Sequence, residues 1–239
     1  MNVSVVIPTY NERENIPLLI PKIFSELKKA GVDGKVIVVD DNSPDDTAAE
    51  VKRLSEAYNV VLISRPVKSG LGSAYICGFK EALKSSDIVF EMDADLSHEP
   101  ECIPSFLDAL SSCDVVIGSR YVPGGKTENW GIYRKAVSWG GNYIGRKLMG
   151  IRINDITTGY RAYKKDVLRA VDIDSIKSNG YAFQAEILYR VWDKNFSIKE
   201  VPIVFRDRKE GVSKLSKREM CTFFLLCSDI FFRRGPFRR

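Results

Sequence analysis

Two carboxylates one residue apart, Asp93 and Asp95 in the run IVFEMDADLSHEP, are the side chains of this sequence best suited to chemistry. An apolar run leads into them, which places both at the tip of a strand, where folding alone offers them no partner. Hard cations such as Mg2+ prefer oxygen ligands and share them with substrate phosphates, so a D-x-D at a strand end suits a nucleotide diphosphate clamped through a metal. A solvated acidic turn is spelled the same way, and the motif by itself leaves both readings open. His98, the only histidine, reads as a hydrogen-bonded loop residue with a minor metal-site role left open.

Positioning these residues requires a sheet. Val3 to Pro8, Lys35 to Val39, Val60 to Ile63, Ile88 to Met92 and Val115 to Gly118 are apolar runs of strand length. Between them, Ile16, Leu19, Ile20, Ile23 and Leu27 recur at helical spacing before Gly31, and Ala48, Val51 and Leu54 repeat the pattern. Ala74 to Leu83 and Ile103 to Leu110 complete the series. Apolar strands alternating with amphipathic helices predict an α/β fold: a mainly parallel sheet, Rossmann-like, with helices on both faces. Ligands then bind beyond the carboxyl ends of the strands. Pro8 to Glu12, Asp40-Asp41, Asp93 to Asp95 and Arg120 all fall at those ends and are expected to converge on one crevice.

A dinucleotide-binding dehydrogenase shares this alternation but needs G-x-G-x-x-G after the first strand. That turn reads Pro8-Thr9-Tyr10-Asn11-Glu12, without glycine. Gly70-Leu71-Gly72 follows the third strand and has Tyr75 at the third glycine position, so it reads as a close backbone approach to a ligand, a helix opening at Ser73, or a plain turn.

At 239 residues, 44% hydrophobic and 28% charged, the chain can bury a substantial core and reads as one globular domain with a small appendage. The net charge of +5 is modest, but Arg233, Arg234, Arg238 and Arg239 crowd the end, and a basic tail favours an anionic surface. Cys77, Cys102, Cys113, Cys221 and Cys227 lack C-x-x-C spacing, and the first residues read as a strand instead of a signal peptide. These features point to a reducing compartment and no cysteine-based metal site.

VVIPTYNERENI, VVDDNSPDDT, GLGSAY, MDADLSH, IGSRY and FRDRKEGVSK together resemble the inverting glycosyltransferases of family 2 with a GT-A fold. More narrowly, they are similar to the dolichyl-phosphate mannose synthases and related polyprenyl-phosphate glycosyltransferases. The resemblance runs in order from Val3 to about Lys214, nearly the whole chain.

The resemblance implies a role for each matching position. Pro8, Tyr10 and Glu12 fall where the family holds the nucleotide base and ribose. Tyr10 can stack on a base and Glu12 can accept from a guanine or ribose donor. Val39 and Asp41 match the next nucleoside contacts, while Asp40 reads equally as a cap for the following helix. Asp93, Ala94 and Asp95 match the donor-binding D-x-D, with Asp95 the expected metal ligand for Mg2+ or Mn2+. Ser97 stands where some relatives carry a further ligand, a glutamine, and it is included with Asp93 and Asp95 in the expected metal set. Arg120, Arg208 and Lys214 match positions contacting the donor or the reacting phosphates, and Arg208 and Lys214 bracket Gly211 in a segment read as a closing loop. Arg134 matches an arginine of the acceptor phosphate, a task shared by Arg120 and suited to a planar guanidinium fork. The turn Thr158-Gly159-Tyr160-Arg161 resembles the acceptor side, without individual roles.

The implied activity is transfer of mannose from GDP-mannose to a dolichyl or polyprenyl monophosphate. Transfer from UDP-glucose and a non-catalytic nucleotide-sugar-binding subunit are the alternatives; nucleic acid is not an expected partner. No run reaches the roughly 20 apolar residues that span a bilayer. Residues 1–215 are therefore expected to form the catalytic domain, and 216–239 an amphipathic basic segment. That segment reads either as a membrane-interface anchor or as a helix docked on the sheet. Tyr133 to Met149 reads as a second membrane-facing helix. The implied location is peripheral, on the cytoplasmic face of a membrane: endoplasmic reticulum in a eukaryote, plasma membrane in a prokaryote. Small membrane-protein partner subunits are a further implied possibility.

Overall fold

The computed structural model describes residues 1–206 and 217–234. The five apolar runs all form strands: β1 Asn2–Thr9, β2 Asp33–Asp40, β3 Val60–Ser64, β4 Ile88–Glu91 and β5 Val115–Ser119. The helices between them are α1 Ile16–Lys29, α2 Thr47–Leu54, α3 Leu71–Ala82 and α4 Ile103–Leu110. A short strand β6, Lys126–Glu128, leads into α5, Ile132–Met149. Then come β7 Arg161–Lys164, α6 Lys165–Ala170, α7 Gly180–Asp193, β8 Ile198–Pro202, β9 Val204–Arg206 and α8 Lys217–Arg234.

Seven strands form the main sheet in the order β3-β2-β1-β4-β7-β5-β8, and β6 pairs with β9. The expectation of parallel pairing holds for β1 with β2 and β4, for β2 with β3 and for β5 with β8. One strand departs from it within a sheet that is mainly parallel as expected: β7 runs antiparallel between β4 and β5. Both neighbours of β7 still point the same way, so β4 and β5 bring their carboxyl ends to one edge.

Side chains along each central strand alternate between two cores. Val3, Val5 and Ile7 pack with α1, α2 and α4, whereas Val6, Ile37 and Val39 pack with α3 and α7. Both faces are covered, and this is why the strands read as unbroken apolar runs. The pair Gly70 and Gly72 serves packing here: a Cβ on Gly70 would lie 2.6 Å from the Asn179 side chain, and one on Gly72 2.6 Å from the Ser178 carbonyl. The glycines let the start of α7 close on α3, and Gly70, at φ +94°, occupies a conformation other residues avoid.

Helix α8 buries Phe223, Cys227 and Ile230, spaced at i, i+4 and i+7. It packs on α5 and α7, not on the sheet. Gly145 permits the close crossing, since a Cβ there would meet the Phe223 ring at 2.7 Å. Both helices keep large apolar side chains exposed: Ile132, Tyr133, Trp139, Tyr143 and Ile144 on α5, and Leu225 and Phe232 on α8. Among the described residues, no helix is long and apolar enough to cross a membrane.

Beneath the site lies a charged layer absent from the sequence reading. Glu91 and Arg161 are fully buried. Glu91 accepts from Tyr163 at 3.0 Å and from Gln184, while Arg161 donates to the Gln184 and Ile156 carbonyls at 2.8 and 2.9 Å. Burial raises the Glu91 carboxyl to about 7 despite the nearby Arg161 charge. The folded chain thus holds a proton that the unfolded chain releases near pH 4.5, so this contribution to stability is full below that pH and lost as pH rises through 7. Melting temperature measured from pH 5 to 8 is expected to show a downward contribution from this group, and Glu91→Gln to flatten it. An equal slope in the variant would remove the assignment.

Candidate active site

The strand ends carry the predicted polar clusters, and three of the turns leave the strands through left-handed residues. Asn11, Asn42 and Leu96 have φ of 61°, 57° and 61°. Asparagine tolerates this conformation; leucine does so at a cost of about 1 kcal/mol or more. Leu96 separates Asp95 from Ser97, so backbone strain sits inside the acidic turn itself.

Pro8 and Val39 are register partners on β1 and β2. Val39 is fully buried in the core, paired with β1 on one side and β3 on the other. Tyr10 is partly exposed, with Lys68 Nζ 3.4 Å from its ring centroid. Glu12 accepts from Asn15 at 2.7 Å, and its backbone N–H donates to Thr47. Asp41 is 5% exposed and clamped: Arg65 pairs with it, and the Ser69 backbone N–H donates to it at 3.3 Å. The reading of Asp40 as a helix cap is corrected. Its carboxylate accepts from Thr9 at 2.9 Å and from the Ser43 N–H and hydroxyl at 3.0 and 2.6 Å. The following helix starts only at Thr47, whose N–H is taken by Asp45.

In the acidic turn, Asp93 accepts from the Tyr75 hydroxyl at 2.9 Å and its side chain is 28% exposed. Ala94 is buried beside it. Asp95 is 9% exposed and its Oδ1 accepts from both the N–H and the hydroxyl of Ser97. Ser97 thus stands behind the Asp95 carboxylate and orients it. His98 is buried, accepts the Asp93 N–H at Nδ1 (3.0 Å) and stacks on Tyr160 at 5.0 Å, which fixes the loop and places its own proton on Nε2. The reading as a hydrogen-bonded loop residue fits this geometry. Among the described residues no group of three or more His, Cys, Asp or Glu could hold a metal by itself. Two carboxylates offering only oxygen match a hard cation that completes its shell with substrate oxygens and water.

Arg120 follows β5 and is 7% exposed. Asp155, fully buried, accepts from its backbone N–H at 3.0 Å, from Nε at 2.7 Å and from Nη2 at 2.7 Å. Nη2 also reaches Thr157 at 2.9 Å. Burial alone would lower the Arg120 pKa, but the Asp155 charge and hydrogen bonds outweigh it and hold the pKa above its ordinary value. A guanidinium has five N–H donors. Three of these are committed, so Arg120 can offer a ligand its Nη1 edge rather than a whole fork.

Arg134, on α5, lies 4.1 Å from the Trp130 ring centroid, and Arg120 lies 5.4 Å from the same ring. Together with Thr157, Tyr181, Met220, Phe223 and others they line a small pocket of about 60 Å³. It holds two guanidinium groups, and most of its remaining wall is apolar, with Val137 and Gly141 from α5, Met220, Phe223 and Phe224 from α8, and the Trp130 ring. Among the described residues, the Trp130 indole N–H, buried there, has no acceptor.

This pocket and the acidic turn adjoin. The Phe205 ring touches His98 at 5.7 Å, Trp130 at 5.4 Å and Arg120 at 5.4 Å. The Tyr181 hydroxyl, its pKa raised by burial, also feels Arg120, Arg134 and Asp93. A Cβ on Gly159 would stand 3.6 Å from Asp93, so the Thr158 to Arg161 turn abuts the acidic side. Arg208 and Lys214, with the loop around Gly211, lie outside the described residues. Asp155, Trp130, Tyr181 and Arg65 escaped the sequence reading. The one available signal was Asp155, a charge set between apolar Ile153 and Ile156.

Residues 4–172 match glycosyl transferase family 2. The chain is 46% identical over 218 residues to the undecaprenyl-phosphate mannosyltransferase of Micrococcus luteus, covering 90% of this chain and 88% of that protein. It is 44% identical over 216 residues to the polyprenol monophosphomannose synthase of Mycolicibacterium smegmatis, covering 89% and 80%. The crystal structure of Mycobacterium tuberculosis glucosyl-3-phosphoglycerate synthase with Mn2+ and UDP-glucose shares the fold. Its TM-score is 0.70 at 22% identity, over 95% of this chain and 79% of that one. Sequence, sheet order and the agreement with these relatives lead to one assignment: the chain is a glycosyltransferase and belongs to glycosyl transferase family 2.

Proposed function

We propose that this chain transfers mannose from GDP-mannose to a dolichyl or polyprenyl monophosphate, with inversion, giving a β-linked mannosyl phosphate lipid. The observation that carries the proposal is the pocket in which Arg120 and Arg134 meet apolar walls from α5 and α8 beside Asp93. A phosphate attached to a hydrocarbon chain has the same division into charged head and apolar tail. The names of the bacterial relatives, mannosyl transferases acting on undecaprenyl phosphate and polyprenol, support the same substrates.

On this reading, Pro8, Tyr10, Glu12, Val39 and Asp41 hold the nucleoside, with Arg65 keeping the Asp41 carboxylate in place. Asp93 and Asp95, the latter oriented by Ser97, would hold Mg2+ or Mn2+, which when bound neutralises the diphosphate. Arg134 attracts the acceptor phosphate, and Arg120 directs its Nη1 edge to it. Arg208 and Lys214 are assigned to the donor phosphates on sequence grounds.

A hydroxyl acceptor would need a carboxylate base to take its proton. A phosphate monoester is already anionic, so the chain's task is to bring two anions together in line. Its oxygen attacks the anomeric carbon as the bond from that carbon to the departing GDP oxygen breaks, and the arginines screen the repulsion. The exposed aromatic and aliphatic side chains of α5, interleaved with Lys135, Arg146 and Lys147, suit a peripheral seat on an anionic leaflet. We place that seat on the cytoplasmic face, with or without small membrane-protein subunits.

The test is transfer of radiolabelled sugar from GDP-mannose to dolichyl phosphate in detergent or liposomes, with Mg2+ or Mn2+ against EDTA and UDP-glucose in parallel. Metal-dependent mannosyl lipid is the expected product. Glucosyl lipid alone would replace the donor assignment, and nucleotide binding without product from either donor would favour a non-catalytic subunit.

A further inference from the structure

The geometry points to Glu200, a residue outside the pocket, as a positioning residue that sets the direction of Arg120. This inference rests on the proposed role of Arg120 at the acceptor phosphate. Glu200 lies on β8, opposite Ile117 of β5. Its carboxylate accepts three N–H groups: the Asn154 backbone at 2.9 Å, the Asn154 side chain at 2.9 Å and the Asp155 backbone at 3.1 Å. Carboxylate acceptors make the stronger class of hydrogen bond, and three on one group fix the main chain of 154–155 against the edge strand.

The next two residues are held from the opposite side. Asn142 of α5 accepts the Ile156 N–H at 2.8 Å and donates to Thr157 Oγ1 at 3.1 Å. The segment 154–157 is therefore clamped between β8 and α5. From this clamp Asp155 and Thr157 take three of the five guanidinium donors of Arg120, and Asp155 takes the Arg120 backbone N–H as well. What remains, the Nη1 edge, can point only where the clamp allows. Around metal sites, hydrogen-bond partners that orient a ligand commonly matter about tenfold to a hundredfold when removed, and we take that scale for the guanidinium here.

There is a chemical reason for such a device. Asp155 already compensates the Arg120 charge, so Arg120 contributes direction more than attraction. Misalignment of a reacting phosphate by about 1 Å can cost on the order of a hundredfold in rate. Glu200 would thus act on turnover, leaving nucleotide-sugar binding, at the other end of the sheet edge, unchanged.

The experiment is a double-mutant cycle with Glu200→Gln and Arg120→Lys, reading kcat and both KM values in the mannosyl transfer assay and the melting temperature of each variant. Glutamine keeps the size of Glu200 but turns an NH2 toward N–H groups, so at least one of the three bonds is lost. We expect kcat about tenfold to a hundredfold lower in Glu200→Gln, with the donor KM unchanged. Glu200→Asp should restore part of the loss if a carboxylate is required. In the Arg120→Lys background, Glu200→Gln should have no further effect on kcat, because its route of action is gone. A full additional loss in that background would overturn the positioning role while leaving the acceptor reading in place. Unimpaired transfer by Arg120→Lys would overturn the acceptor role of Arg120, and this inference with it.

Discussion

Asp95→Ala is expected to abolish mannosyl transfer while leaving the fold in place. A cation held by Asp93 and Asp95, as proposed, would supply several kcal/mol of charge stabilisation to the diphosphate. At about 1.4 kcal/mol per factor of ten, its loss corresponds to a fall in turnover of about a thousandfold. Stability should move little. The carboxylate is 9% exposed and its Oδ1 takes two hydrogen bonds from Ser97, so alanine loses those bonds but also relieves the repulsion with Asp93. Melting temperature and Mn2+ binding, read by electron paramagnetic resonance, separate the two effects. Transfer that survives the substitution, or that proceeds equally in EDTA, would refute the metal assignment.

The second large effect is expected at Asp155, through both stability and activity. Asp155→Asn leaves the Arg120 guanidinium buried, at 7% exposure, without its counter-charge. Breaking a buried pair from one side costs about 3–5 kcal/mol, because the remaining charge is uncompensated. For a chain of this size that lowers the melting temperature by on the order of 10 °C. Transfer by the folded fraction should fall as well, with the acceptor side affected and nucleotide binding retained. Asp229→Asn is the contrasting case: it breaks an exposed pair with Arg233, and an exposed pair is worth about 1 kcal/mol or less. Equal melting temperatures for Asp155→Asn and wild type would mean that the Arg120 charge is compensated elsewhere.

What could be read from the sequence follows physical range. Five strands were legible as continuous apolar runs: β1, β2, β4 and β5 pack on both faces, and the edge strand β3 half-buries Val60 to Ile63 against both cores. The acidic turn was legible because Asp93 and Asp95 are neighbours in the chain. β7 was not, since it is four residues long, RAYK, and opens with a buried arginine whose partners come from α7 and the 156 carbonyl. β8 was equally opaque: an edge strand, IKEVP, interleaves polar Lys199 and Glu200 with its apolar residues. The partners of Arg120 lie 35 and 37 residues away, and nothing local announces them. Asp40 was misjudged because a carboxylate before a helix has more than one set of N–H groups within reach. Here the nearer Ser43 and the neighbouring strand took it.

The antiparallel strand at the centre of the sheet has a consequence for the order in which this molecule can assemble. β4 and β5 share no pairing of their own; Ala162 stands between Phe90 on one side and Val116 on the other. When β5 has just been made, the strands of β3-β2-β1-β4 are all present to pair with one another, whereas β5 packs on α4 but lacks both of its pairing strands, β7 and β8, which come later in the chain. Only after α5 has been made does β7 arrive to join the two halves. Such non-local pairing is slow because loop closure precedes any contact that rewards it. In the finished sheet, β7 is the strand that ties the acidic turn after β4 to Arg120 after β5.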